Sequence, residues 1–272
     1  KQVYHAASNK IWRAHEWRFG GDPGRIPRCL LGLLAWIGFI VAWHWLATSN
    51  WVNTALLPTP WDVVSALQDL FMERGFSVDV WHSLKRISIS FLIALAIAMP
   101  VGICMGTFPL AEIFFNSLVS PFRYLPAPSF IPLLLMWMGT GDDQKIALLT
   151  LGVVFFLTTL IMDRTKEVNR GLIESAQTLG AKRTQLIFRV ILPAALPHYL
   201  TTARQMLALS WTYLVIAEIV AATSGIGAMM MRARRVIEVD DIMAGILIIG
   251  ILGFASDFLL RKLHRTWFHY LY

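Results

Sequence analysis

Arg123 stands among Pro121, Pro126, Pro128 and Pro132. A guanidinium keeps its proton across the accessible pH range, so it must hold a carboxylate, backbone carbonyls, water or a passing anion. Glu218 lies in a second apolar run, and Arg232, Arg234 and Arg235 crowd before a third. This chemistry suits attracting or passing a charged solute rather than turning one over. No HExxH, no paired catalytic carboxylates and no Cys/His constellation is present. No G-x-x-x-x-G-K-[ST] phosphate loop occurs, and Lys182-Arg183-Thr184 after Gly180 lacks its first glycine. Asp142-Asp143 beside Lys145 read as a helix cap and solvated charge, not as a metal site.

The elements that carry these residues are set by composition. Of 272 residues, 56% are apolar and only 15% charged, with 24 Lys and Arg against 17 Asp and Glu. An ordinary soluble domain carries about 25% charged residues. Two cysteines, Cys29 and Cys104, exclude a disulfide scaffold, and the hydrophobicity excludes disorder. The chain reads as an all-α integral membrane protein, and its basic excess as cytoplasmic loops rather than a nucleic-acid surface.

A bilayer-crossing helix needs about 20 mostly apolar residues. Six stretches qualify: Leu30 to Ala47, Ile87 to Met105, Phe115 to Met138, Ile146 to Met162, Tyr199 to Ala222 and Ile242 to Leu260. The third is broken by its prolines. The first reads as a retained span, because its apolar length exceeds a signal-peptide core and no small-x-small cleavage site follows. Six Lys or Arg precede span one, seven lie between Arg164 and Arg204, and three follow span six. The opposite side carries five, which puts both termini in the cytoplasm. The expected organisation is a cytoplasmic segment over residues 1–29, a six-helix domain over 30–260 and a tail over 261–272. His44 reads as a packed polar side chain within span one, and the tryptophans as interface markers. Thr59-Pro60 reads as a helix cap with proline at the first helical position, opening an amphipathic helix through Trp61, Val64, Leu67 and Leu70-Phe71 on the external surface. Ile11, Trp12, Trp17 and Phe19 read as a second interfacial segment, on the inside.

The longest cytoplasmic loop, about 165–197, carries a pattern. Leu172, Ile173, Ala176 and Leu179 recur at helical spacing, Gly180 suits the left-handed end of a helix, and Leu186, Ile187, Val190 and Ile191 resume the period until Pro193 and Pro197. The reading is two short amphipathic helices joined at a glycine and projecting inward, a knob for a partner's groove.

Glu174-Ser175-Ala176, then Gly180, then Leu192-Pro193 resembles the EAA loop of bacterial ATP-binding-cassette importer permeases. Ser175 replaces the second alanine, small for small. Leu57-Pro58-Thr59-Pro60, Arg123-Tyr124-Leu125-Pro126 before Ile131-Pro132-Leu133, and Ala217-Glu218 before Gly225-Ile226-Gly227 narrow the likeness to the nitrate/sulfonate/taurine type. The likeness covers about Leu57 to Leu260.

The resemblance implies a type I importer fold, with a second copy of the chain, two separate ATPase subunits that bind ATP and Mg, and a periplasmic or lipid-anchored substrate-binding protein. It implies no cofactor in this chain, a multi-pass place in the bacterial inner membrane among lipid, and a small anionic solute such as nitrate, bicarbonate, taurine or an alkanesulfonate. It assigns ATPase coupling to Glu174, Ser175, Ala176, Leu179, Gly180, Ala181, Leu192 and Pro193. Glu174 either contacts the ATPase groove or caps the second short helix. Arg123, Tyr124, Trp211 and Glu218 are the candidates for the path. Arg123 either serves the anion or snorkels or holds an ion pair. Glu218 either pairs with Arg123 or Lys85, or is a hydrogen-bonded structural group near the external end. Arg232, Arg234 and Arg235 either attract substrate or binding protein, or belong to a solvated gate helix. The alternative function is a self-contained channel or secondary transporter, which has no need of a docking loop; a membrane-embedded enzyme lacks any supporting motif.

Overall fold

The computed structural model describes residues 25–49, 51, 56–220 and 223–271. The expected interfacial segment at Ile11 to Phe19 lies outside the described residues. Every described regular element is helical: α1 (Arg25–Thr48), α2 (Pro60–Met72), α3 (Phe76–Thr107), α4 (Pro109–Arg123), α5 (Ile131–Met138), α6 (Asp142–Lys166), α7 (Arg170–Thr178), α8 (Arg183–Val220), α9 (Ile226–Val236) and α10 (Val239–Trp267). The chain divides into residues 1–62 and 63–272.

In the first unit, α1 keeps its apolar side chains outward, Trp36 at 68% exposure among them. The Trp43 indole N–H donates to the Pro58 carbonyl at 3.1 Å. Thr59 caps α2 as expected. Its hydroxyl and backbone N–H both donate to the Asp62 carboxylate, at 2.8 and 2.9 Å, which holds that carboxyl below the ordinary range.

The second unit is organised by α3. Ser90, Ala94, Ala98, Gly102 and Gly106 recur at four-residue intervals, so one face of the helix has almost no side chain. That face meets α6. A Cβ at Gly102 would lie 2.7 Å from the Thr158 carbonyl, and one at Gly106 would overlap Thr165. Small residues let helix backbones approach closely. The Thr150 hydroxyl reaches the Ser90 carbonyl at 3.3 Å further back. Contacts therefore advance in the same direction on both helices, and α3 and α6 run parallel.

Parallel packing dictates the path of the segment between them. The C-terminus of α3 lies at one end of the bundle, while α6 starts beside Arg86 at the other. Twenty residues of α3 separate these levels, about 30 Å of helix. Residues 108–141 must return over that distance. They do so as α4, a 3₁₀ turn at Ala127–Phe130 and α5 rather than as one helix. Pro126, Pro128 and Pro132 lack the N–H groups that a continuous helix would need. Among the described residues, five helices are long and apolar enough to cross a bilayer; this broken segment holds only a shorter apolar helix, Ala127–Met138.

Helix α8 runs antiparallel to both, with the Tyr199 and Thr165 hydroxyls 2.7 Å apart at one end. Helix α10 returns alongside it, with Arg204 3.1 Å from Asp257. Val153, Leu157, Ile161, Tyr199 and Met206 form one apolar core, and Ile87, Leu134, Leu148, Trp211 and Leu214 another. The expected apolar stripe of α2 is split between bundle and exterior. Val63, Ala66 and Leu70 are buried, while Trp61, Val64 and Phe71 stay outside. The helix has two apolar stripes, and periodicity alone does not say which one the bundle takes.

Candidate functional site

The first site is the loop between α6 and α8. The Asn169 side chain accepts the Gly171 N–H at 2.8 Å and starts α7. Gly180 ends it with a φ of 80°. The Gly180 N–H donates to the Gln177 carbonyl at 2.9 Å and the Ala181 N–H to the Ala176 carbonyl at 3.0 Å. This pair of bonds is the Schellman closure. Leu179 then projects at 88% exposure and Leu172 at 52%, while Leu186 and Ile191 turn inward. Glu174 is exposed. The cap of the next helix comes from Gln185, whose side-chain oxygen accepts the Lys182 N–H at 2.8 Å.

Beyond the glycine, expectation and structure part. Pro193 and Pro197 do not end a short helix; α8 is continuous from Arg183 to Val220. A π turn at Leu186–Ile191 makes this possible, with the Leu192 N–H donating to Ile187 five residues back. A proline ring normally collides with the carbonyl four residues before it. The wider turn moves that carbonyl aside, so the loop joins the membrane helix without a break.

The second site lies at the opposite end. Arg86 is fully buried, and its guanidinium holds three elements together. It donates to Glu218 on α8 at 2.7 Å, to Asp142 at the start of α6 at 2.8 Å, and to the Ser224 carbonyl and hydroxyl before α9. The Ser83 hydroxyl also meets Glu218, at 2.7 Å. The first N–H groups of α9 are taken in turn: Gly225 by Asp79 at 2.8 Å, Ile226 by Ser83 at 3.0 Å and Gly227 by Glu218 at 2.9 Å. Three carboxylate or hydroxyl acceptors on α3 and α8 thus satisfy a helix N-terminus and its partial positive charge. Arg232 on α9 returns an ion pair to Asp79. Gly225 has a φ of 104°, and a Cβ there would overlap the Glu218 carboxylate. Lys145, also fully buried, donates to Thr223 at 2.8 Å.

The loop, Asp142, Glu218 and the start of α9 lie within one matched region, which begins just after Arg86. Residues 91–269 match the family described as "binding-protein-dependent transport system inner membrane component". The chain belongs to this family.

The taurine transport system permease protein of Escherichia coli K12 is 34% identical, over 83% of this chain and 84% of its own. A putative aliphatic sulfonates transport permease of Bacillus subtilis is 31% identical over 86% and 85%. The nitrate import permease protein of Synechocystis is 21% identical over 85% and 86%. Among solved structures, a chain of the MetNI methionine transporter in an inward-facing form superposes with a TM-score of 0.63, covering 71% of this chain and 98% of that one. A bacterial transporter that imports alginate gives 0.60 over 98% and 99%. The fold is that of type I importer permeases. The chain is therefore a membrane subunit of a binding-protein-dependent importer rather than an enzyme, and ATP hydrolysis belongs to a separate subunit.

Within this permease the expected site residues divide. The loop residues Glu174, Ser175, Ala176, Leu179, Gly180 and Ala181 form one connected turn, with Leu192 and Pro193 just past the π turn. The candidates for the path do not meet. Glu218 takes Arg86, not Arg123 or Lys85, as its partner. Lys85 faces outward because Arg86, one residue on, holds the inner side of α3. Arg123 ends α4 and lies over its neighbour Tyr124, guanidinium to ring centre 5.4 Å, and Tyr124 is 77% exposed. Trp211 is buried against Gly253 in the second core, its indole N–H without a partner among the described residues. Of the three arginines on α9, Arg232 is bound to Asp79, while Arg234 and Arg235 are exposed. Asp142 pairs with Arg86 while its side chain stays 39% exposed, and Lys145 is not a solvated charge, being buried and bound to Thr223. Sequence reading passed over Asp79, Ser83 and Arg86. Their spacing of four and three residues marks a polar face on a helix about to become wholly apolar, and that was the available signal.

Proposed function

We propose that two copies of this permease form the membrane path of an ATP-driven importer for a small anion. In this reading the loop over about 165–197 and both termini face the cytoplasm, and residues 30–260 make the membrane domain. Leu179 and Gly180 form the knob gripped by the ATPase, which binds ATP and Mg. Glu174 and Ser175 contribute polar contacts beside it, and Leu192 and Pro193 carry the movement into α8. Arg123 and Tyr124 line the path, and Arg234 and Arg235 on α9 face the substrate-binding protein.

The observation that carries the reading is the Schellman turn that holds Leu179 at 88% exposure next to a continuous membrane helix. An apolar side chain so displayed has no purpose in a self-contained channel. Relatives named for taurine, sulfonates and nitrate support the anion class.

The test is reconstitution with the partner ATPase and binding protein in proteoliposomes. ATP-dependent accumulation of taurine, an alkanesulfonate or nitrate is expected. Accumulation of a cationic or neutral solute alone would overturn the anion assignment. A native mass with a single permease copy would overturn the dimer.

A further inference from the structure

Behind the loop, on the side away from Leu179, lies a cleft of about 640 Å³. Its polar wall carries Lys166, Arg170, Arg183, Glu112 and Gln177. Lys166 is bound to Glu112 at 2.5 Å, which leaves Arg170 and Arg183 exposed and without an ion pair among the described residues. The cleft thus has an excess of two positive charges.

It does not end in protein. It shares Thr107, Phe108 and Ile187 with a second slot of about 400 Å³. That slot is walled by Pro100, Ile103, Cys104, Phe188 and Leu192, all apolar or nearly so. Ile93, Ile97 and Pro100 continue it along an exposed face of α3. At the junction of the two spaces, the Thr107 hydroxyl is buried and has no hydrogen-bond partner among the described residues. The levels agree as well: α3 ends at Thr107 and α6 at Lys166, where apolar helix gives way to polar turn.

A basic cleft that opens at membrane level into an apolar slot has the polarity of one kind of molecule. We propose that the two spaces together bind one anionic phospholipid, its phosphodiester between Arg170 and Arg183 and its acyl chains among Ile103, Phe188 and Leu192. A free phosphate would leave the slot unused, and a protein segment would have no reason to be cationic-seeking at one end and wholly apolar at the other. The lipid sits between the bundle and the loop, wedged against the π turn. Its binding does not depend on which solute is transported.

The test uses the permease–ATPase complex released from nanodiscs of mixed phosphatidylglycerol and phosphatidylcholine, read by native mass spectrometry. The wild type is expected to retain phosphatidylglycerol in preference to phosphatidylcholine, one per permease. Cations near an anionic lipid surface contribute about 1 kcal/mol each, so Arg170→Gln with Arg183→Gln should cut retention roughly thirtyfold. Ile103→Trp, which fills the slot and keeps both charges, should also release the lipid. Equal retention of the two lipids, no retained lipid, or retention unchanged by the double variant overturns the proposal. Thermal stabilisation of the lipid-free complex by inorganic phosphate to the same degree as by phosphatidylglycerol also overturns it.

Discussion

Arg86 and Glu218, 132 positions apart in sequence, meet through a 2.7 Å ion pair in which neither side chain is more than 1% exposed. Two ions taken out of water have lost several kcal/mol of hydration each. They regain it through Ser83, Asp142, Ser224 and the Gly227 N–H, so each remaining lone pair or proton has a partner. The pair is the point at which α3, α6, α8 and the turn into α9 are held in one register.

Removing one member should leave the other charge buried alone. Arg86→Gln or Glu218→Gln is expected to cost about 3–5 kcal/mol. The double variant should recover a substantial part of that loss. Thermal unfolding of the detergent-solubilised complex measures this, and equal losses that simply add would contradict the coupling.

Gly225→Ala offers a test that leaves every charge in place. The added Cβ overlaps the Glu218 carboxylate, so the α9 turn must shift. Gly139, with a φ of 74°, has open space around its Cβ position. Gly139→Ala should show only the backbone penalty of that essentially glycine-only region (φ 74°, ψ −163°), about 1–3 kcal/mol. Gly225→Ala should lose clearly more than Gly139→Ala in the same melting experiment.

At the loop, a Cβ on Gly180 meets nothing within 4 Å, so conformation is the sole constraint. Gly180→Asn should be tolerated, because asparagine accepts the left-handed region. Gly180→Val should open the Schellman turn and redirect Leu179. Substrate-stimulated ATPase activity of the complex should fall while the melting temperature of the membrane bundle stays within a few degrees. Full stimulation in Gly180→Val removes the turn from the coupling role.

Arg123 has no ion pair among the described residues. Arg123→Gln and Glu218→Gln should therefore be independent, with stability effects that add within about 0.5 kcal/mol. If Arg123 lines the anion path, Arg123→Gln slows uptake in a stable complex and Arg123→Lys restores part of it. Normal uptake by Arg123→Gln takes the residue out of the path.

Local signals carried most of the reading. Apolar length marked the helices, the Thr59-Pro60 cap and the Gly180 turn formed as their residue types require, and the prolines did break the third apolar stretch. What failed was partnership. The i, i+4, i+7 spacing of Asp79, Ser83 and Arg86 sets Arg86 apart from Lys85, but it does not name Glu218, on another helix, as the partner. Asp142 and Lys145 looked solvated because their partners, Arg86 and Thr223, lie 56 and 78 residues away. Leu192-Pro193 looked like a stop because a π turn changes what a proline collides with, and that turn has no sequence mark of its own.

The continuity of α8 turns the loop into the short end of a lever. At 1.5 Å per residue, the 38 residues from Arg183 to Val220 span about 57 Å. A rigid rod of that length tilted by about 5° displaces one end by about 5 Å relative to the other. That is more than the reach of any hydrogen bond Glu218 makes. In the proposed coupling role, a pull on the loop is passed along this rod toward Glu218; the wide turn disarms Pro193, and Pro197 is the proline left inside the rod where it can bend.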